Sequence, residues 1–147
     1  MRAVVTRVSS ADVKINGKTV GKIGKGFLVL LGISVDDTTA QADKIADKIC
    51  GLRVFEDENG KMNLSPEKVG AELLIVSQFT LYADCTSRRP GFTAAAGGVQ
   101  AEPLYEHCVE QCRQRGFHVE CGIFGADMAV SSVNDGPVTL ILDTQQL

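Results

Sequence analysis

The residues able to do chemistry in this 147-residue sequence are few: two histidines, five cysteines and two polar segments. His107 lies in a helix-patterned stretch and His118 opens a strand-patterned one. Neither is near a plausible nucleophile in sequence, their cysteine neighbours reading as buried apolar residues, so an exposed or hydrogen-bonded structural role is expected for both. Cys108 and Cys112, four apart, would set two sulfurs on one helix face, with His107, His118 and Cys121 close by, a conceivable zinc set. Both, however, occupy the inner stripe of an amphipathic helix, where Cys acts as a small apolar residue. No metal is expected, and all five thiols read as reduced and mostly buried. Gly17, Gly21, Gly24, Gly26 and Gly32 do not follow a phosphate-loop spacing and read as hairpin glycines. No cofactor is expected.

Two segments stand apart. In Ser77-Gln78-Phe79-Thr80-Leu81-Tyr82-Ala83, polar residues interrupt an apolar strand just where a long loop begins. This is either an ordinary strand end or one whose side chains and backbone N–H groups face a pocket. Asn134-Asp135-Gly136-Pro137-Val138-Thr139 has turn chemistry. A cis Gly-Pro bond is possible there, although turn chemistry alone favours trans.

The elements that must position these segments follow from periodicity. Ala3 to Val8 and Val13 to Ile15 read as strand, Asn16-Gly17 as a two-residue hairpin turn, and Thr19 to Ile23 as the return. Phe27 to Ile33 reads as a central strand buried on both faces. Asp37 or Thr38 caps a helix whose inner stripe is Ala42, Ile45, Ala46, Ile49 and Cys50. Arg53 to Phe55 reads as a short strand, Asp57 to Gly60 as a turn, and Lys61 to Pro66 as a loop. Glu72 to Tyr82 carries the strongest strand signal. Ala83 to Gly98 is a long loop holding Arg88 and Arg89, and loops of that length are usually functional. A second helix is expected from Glu102 to Arg115, then strands over 118–123, 128–133 and 138–142, with Gly122 to Asp127 and Asn134 to Pro137 as turns. Strands and helices mix without regular alternation. The pattern therefore predicts an α+β fold, its sheet mixed or largely antiparallel, with two main helices in a single domain over 1–147.

Composition narrows the function classes. The net charge is −3, which argues against a broad basic face for duplex DNA. Trp is absent and aromatics are 5%, too few for platforms that stack several bases. No apolar run is long enough to span a membrane, and the N-terminal residues lack a signal-peptide layout. No membrane partner and a cytoplasmic location are expected.

Over essentially its whole length the sequence resembles the D-aminoacyl-tRNA deacylase family. The segments 77–83 and 134–139 look like that family's two signature motifs. Arg7-Val8-Ser9-Ser10-Ala11, Arg53-Val54-Phe55-Glu56-Asp57, Arg88-Arg89-Pro90 and Phe124-Gly125-Ala126-Asp127-Met128 also match in order. The chain departs from the family at Asp84 to Ser87, Gly91 and Gly97-Gly98, all in the long loop. The resemblance implies a homodimer with a barrel-like sheet. It implies hydrolysis of the ester linking a D-amino acid, or mischarged glycine, to the 3′-terminal adenosine of tRNA. It further implies that Ser77, Gln78, Phe79 and Thr80 form the catalytic pocket. Gly136 and Pro137, joined by a cis bond, would enter the partner's site as a chirality gate braced by Arg7. Arg88 and Arg89 would touch the acceptor end of aminoacyl-tRNA. Two rivals remain: an acyl-enzyme hydrolase with Thr80 as nucleophile, and a non-catalytic RNA-end or replication-associated binding module.

Overall fold

Asn16 and Gly17 have φ of +50° and +77°, the positive values that a tight primed hairpin turn needs. The turn folds β1 (Arg2–Ile15) back on β2 (Lys18–Ile23) and β3 (Gly26–Gly32). The pairs Val13↔Gly21, Ala11↔Ile23, Val8↔Gly26 and Arg2↔Gly32 keep one register. β2 and β3 are therefore two parts of one returning ribbon, interrupted at Gly24-Lys25. The structure is a computed structural model and describes residues 1–147.

The other edge of β1 is taken by antiparallel β8 (Ala129–Asp143). On the far side of β3 lie β6 (Glu72–Ser77) and then β7 (Val119–Cys121), both parallel to it. The Glu72 carboxylate accepts from Gly24 N–H at 2.8 Å and the Glu120 carboxylate from Lys22 N–H at 3.4 Å. These contacts draw β2 towards β6 and β7, so the mixed sheet nearly closes into a barrel. Gly26 is required where β3 meets β6, since a Cβ there would lie 1.8 Å from the Glu72 carbonyl oxygen.

α1 (Thr39–Gly51) and α2 (Gly98–Gln114) pack together on the main core. Thr38 caps α1 with a capping box: its hydroxyl accepts from Ala40 N–H while Gln41 accepts from Thr38 N–H. Ala42, Ile45, Ala46, Ile49 and Cys50 are buried, as their spacing predicts. α2 buries Leu104, Tyr105, Cys108, Val109 and Cys112, and the Tyr105 hydroxyl donates to the Ile75 carbonyl at 2.6 Å. No helix is long and apolar enough to cross a membrane.

Several expected boundaries move. The strand predicted over Glu72 to Tyr82 stops at Ser77, and Phe79–Tyr82 is a 3-10 turn. α2 begins at Gly98, not Glu102, and carries Pro103 inside it. The carbonyl that Pro103 leaves without an N–H belongs to Val99, a residue 98% exposed, where solvent can take it. Lys61 to Pro66 includes a short strand, β5 (Met62–Leu64), paired with β4 (Phe55–Glu56). Asn134 to Pro137 is not a turn between two strands. It is a bulge within β8, whose pairing with β1 resumes beyond it.

Candidate active site

A cleft of about 320 Å³ opens at the carboxyl ends of the parallel strands β3 and β6. Ser77, Gln78 and Phe79 form one wall, and Phe124 to Met128 form another. Leu31, Ile33, Val76, Ala96, Ala101 and Val130 make the remainder largely apolar. Gln78 is held by backbone: its N–H donates to the Leu31 carbonyl at 2.8 Å, and its carbonyl accepts from Leu81 N–H at 3.3 Å. That second bond is the first rung of the 3-10 turn. The Phe79 and Thr80 N–H groups precede it, so the turn itself offers them no acceptor. Thr80 does not line the cleft; its hydroxyl accepts from the Gln78 side-chain amide at 2.5 Å. Burial, with the Asp37 and Asp143 carboxylates nearby, raises the Tyr82 hydroxyl above the ordinary phenol range and keeps it protonated.

The Gly136 segment lies elsewhere in the chain. Only Arg7 stands on β1 between Thr6 and Val8, whereas Asp135, Gly136, Pro137 and Val138 stand between their partners Thr139 and Asn134. The extra residues project as a bulge. Gly136 has φ of +121° and the Gly136-Pro137 bond is cis. Arg7, 5% exposed, donates from Nε to the Asp135 carbonyl at 3.2 Å and from Nη1 to the Val54 carbonyl at 2.6 Å. It also lies 3.4 Å from the Asp135 carboxylate. Such partners are what a buried guanidinium needs. The cleft residue Val130 pairs with Val13, six residues along β1 from Arg7. At strand rise that is roughly 20 Å along the strand, and the cleft residue Leu31 pairs with Ala3, four residues or roughly 13 Å from Arg7 on its other side. The structure thus brings Arg7, Gly136 and Pro137 together, and Ser77, Gln78 and Phe79 together, as two separate groups within one chain.

Arg88 and Arg89 sit at the exposed tip of a small loop closed by two bonds between Asp84 and Gly91, at 2.8 and 2.9 Å. The Thr86 N–H holds the Asp84 carboxyl below the usual carboxylate range and braces this loop. Neither arginine makes an ion pair. At the loop base Phe92 meets Phe79 edge-on, ring centroids 5.0 Å apart. The histidines are engaged outside the cleft: His107 with Asp43 at 2.7 Å, His118 with Glu120 at 3.2 Å. The Cys112 thiol is pushed up to about 12, chiefly by its hydrogen bond with Cys108 and by burial, and is not a nucleophile at neutral pH.

A family model described as D-Tyr-tRNA(Tyr) deacylase matches residues 4–143. The chain belongs to the D-aminoacyl-tRNA deacylase family. It is 58% identical to the D-aminoacyl-tRNA deacylase of Desulfatibacillum aliphaticivorans, over 99% of this chain and all of that one. It is 55% identical to that of Symbiobacterium thermophilum, over 99% and 97%. Among solved structures, a protein named c-Myc DNA Unwinding Element Binding Protein superposes with a TM-score of 0.92 at 43% identity, over 97% of this chain and 98% of that one. A structure described as a probable eukaryotic D-amino acid tRNA deacylase shares the fold, with a TM-score of 0.82 at 18% identity. The chain is therefore a hydrolase that acts on the ester bond of D-aminoacyl-tRNA.

Sequence reasoning left out one wall of the deacylase cleft. Phe124 to Asp127 reads from the sequence as part of a turn and Met128 as the start of a strand, with a family match, yet this segment brings Asp127, a carboxylate, to the same cleft as Gln78. The signal was weak because parallel pairing of β6 and β7, not local pattern, delivers this segment.

Proposed function

We propose that the cleft bounded by Ser77, Gln78 and Phe79 holds the 3′-terminal aminoacyl adenosine, and that the Gly136-Pro137 bulge of a second copy closes it. The observation that carries this reading is the turn at Phe79 and Thr80: two backbone N–H groups without helical acceptors beside an apolar cleft. Such donors suit the oxyanion of ester hydrolysis, where one donor is worth about 2.7–4 kcal/mol in a known hydrolase. Neither Gly136 nor Pro137 lines the cleft of its own chain, which supports a bulge that acts on the partner's cleft. A gate of backbone carbonyls cannot swing aside, and a thousandfold preference for one hand requires about 4 kcal/mol. An L side chain would meet the gate; a D side chain, or glycine, would not. Mischarged glycyl-tRNA is accordingly a second substrate. Arg88 and Arg89, free of ion pairs, contact phosphates of the acceptor end, and no duplex DNA is bound.

The attacking water needs orientation. The segments 77–80 and 134–139 contain no histidine, and Asp135 faces Arg7. The 2′-hydroxyl of the terminal ribose, beside the ester, fills this role. D-Tyr-tRNA ending in 2′-deoxyadenosine should bind yet be cleaved far more slowly, measured in single turnover. Thr80→Ala should keep substantial activity. If Thr80→Ala is inactive while the deoxy substrate turns over normally, Thr80 is the nucleophile. Asp127 favours a second reading, a carboxylate base in the cleft; loss of turnover in Asp127→Asn with the deoxy substrate still active would establish it instead.

A further inference from the structure

The turn that carries Phe79 and Thr80 is seated by a single rung of the sheet. Arg2 pairs across β1 with Gly32 on β3 and with Asp143 on β8. From this rung the Arg2 guanidinium reaches the turn: Nη1 donates to the Leu81 carbonyl at 3.0 Å, and its centre lies 4.5 Å from the middle of the Tyr82 ring. Nε donates to the Asp143 carboxylate at 2.9 Å, which aims the fork. Gly32 completes the seat by being small. A Cβ there would lie 3.0 Å from both the Gln78 carbonyl oxygen and the Leu81 Cβ, and 3.4 Å from the Tyr82 ring. Arg2, by contrast, has no place in the cleft lining.

We infer that Arg2 is a positioning residue for ester hydrolysis, holding the Phe79–Tyr82 turn against Gly32 so that its N–H groups stay aimed at the cleft. This rests on the reading that the turn carries the reaction. A planar fork that serves a carboxylate, a carbonyl and a ring face together cannot be replaced by a lysine ammonium.

The chain has no tryptophan, so Phe79→Trp gives a single reporter on the turn. In that background Arg2→Ala should shift the emission maximum and raise quenching by acrylamide. With Phe79 in place, Arg2→Ala should lower kcat for D-Tyr-tRNA roughly 10- to 100-fold while KM stays within about twofold. Arg2→Lys should recover only part. Should Arg2→Ala fail to fold, Gly32→Ala presses on the turn from the other side with Arg2 intact, and should give the same shift and the same loss of kcat. Unchanged emission overturns the seat, whatever the activity. Shifted emission with unchanged kcat keeps the seat but removes the turn from the reaction, and with it the positioning role.

Discussion

Asp143 shows how one side chain links the Phe79–Tyr82 turn to stability. Burial works to raise its carboxyl, but hydrogen bonds from Gln145 N–H and Arg2, and the charge of Arg2, outweigh it and hold the group below the usual carboxylate range. A carboxyl lowered on folding stabilises the fold above its unfolded value, about 3.9, and that contribution is lost as pH falls through the lower folded value. Asp143→Asn should therefore melt at a lower temperature at neutral pH and show a flatter loss of melting temperature below about pH 4. An unaltered acid limb would mean that the Arg2 pair contributes nothing. Gly136 invites a different substitution. A Cβ would meet Val138 Cγ2 at 2.9 Å and Arg7 Nη2 at 3.0 Å, at a φ that L residues rarely adopt. Gly136→Ala should distort the bulge and erode the preference for D- over L-aminoacyl-tRNA, and Arg7→Ala should do so by releasing the Asp135 carbonyl. Competition between D- and L-Tyr-tRNA measures both; intact rejection of the L form in Arg7→Ala would remove the brace.

At the scale of elements, the join between β3 and β6 is the least forgiving place. Gly26→Ala would put a methyl 1.8 Å from a backbone oxygen, with no flexible side chain to give way. Overpacking of this kind costs about 1–3 kcal/mol and occasionally more, and urea unfolding should place Gly26→Ala at or beyond the upper end. The same elements show what a sequence can declare. The hairpin at Asn16-Gly17 and the capped helix α1 were legible because turn, cap and stripe are local. The Phe79–Tyr82 turn was not. Its residues favour strand, and the turn's contacts are with Arg2 and Gly32, distant in sequence. Asn134 to Pro137 reads as a turn between strands from its local chemistry, but β8 resumes its pairing with β1 beyond these residues and makes them a bulge, which only the long-range pairing shows. Ser77, Gln78, Phe79, Gly136 and Pro137 are linked as one site only by the family resemblance; within one chain they form two groups. Local chemistry left both segments open.

At the scale of the molecule, charge and assembly make separate predictions. With few phosphate contacts, Arg88 and Arg89 among them, affinity for tRNA should depend weakly on salt, with a slope of about 2–3 in magnitude in log–log terms. A slope near 10, that of a large duplex binder, would reveal a basic face missed here.

The assembly follows from β8. It pairs only with β1, so its outer edge is open for 15 residues. Val130, Val133 and Ile141 are exposed along it, Ile141 by 76%. A long open edge that also exposes apolar side chains is a liability in a monomer and a ready interface in a two-fold dimer. The same strand carries the Gly136-Pro137 bulge, so on the proposed reading pairing at this edge would bring one copy's bulge to the other's cleft. The enzyme should run as a dimer of about 31 kDa, two chains of 15.7 kDa. Ile141→Glu would put a charge on the exposed edge strand of each copy, while the cleft and the core of each chain stay as they are. Sedimentation should then report a monomer with a native circular dichroism spectrum, and that monomer should be inactive on D-Tyr-tRNA. Diluting the wild-type enzyme through its dimer dissociation constant should lower specific activity in step. A folded monomer that still hydrolyses D-Tyr-tRNA and spares the L form would place the whole gate within one chain, against the separation along β1.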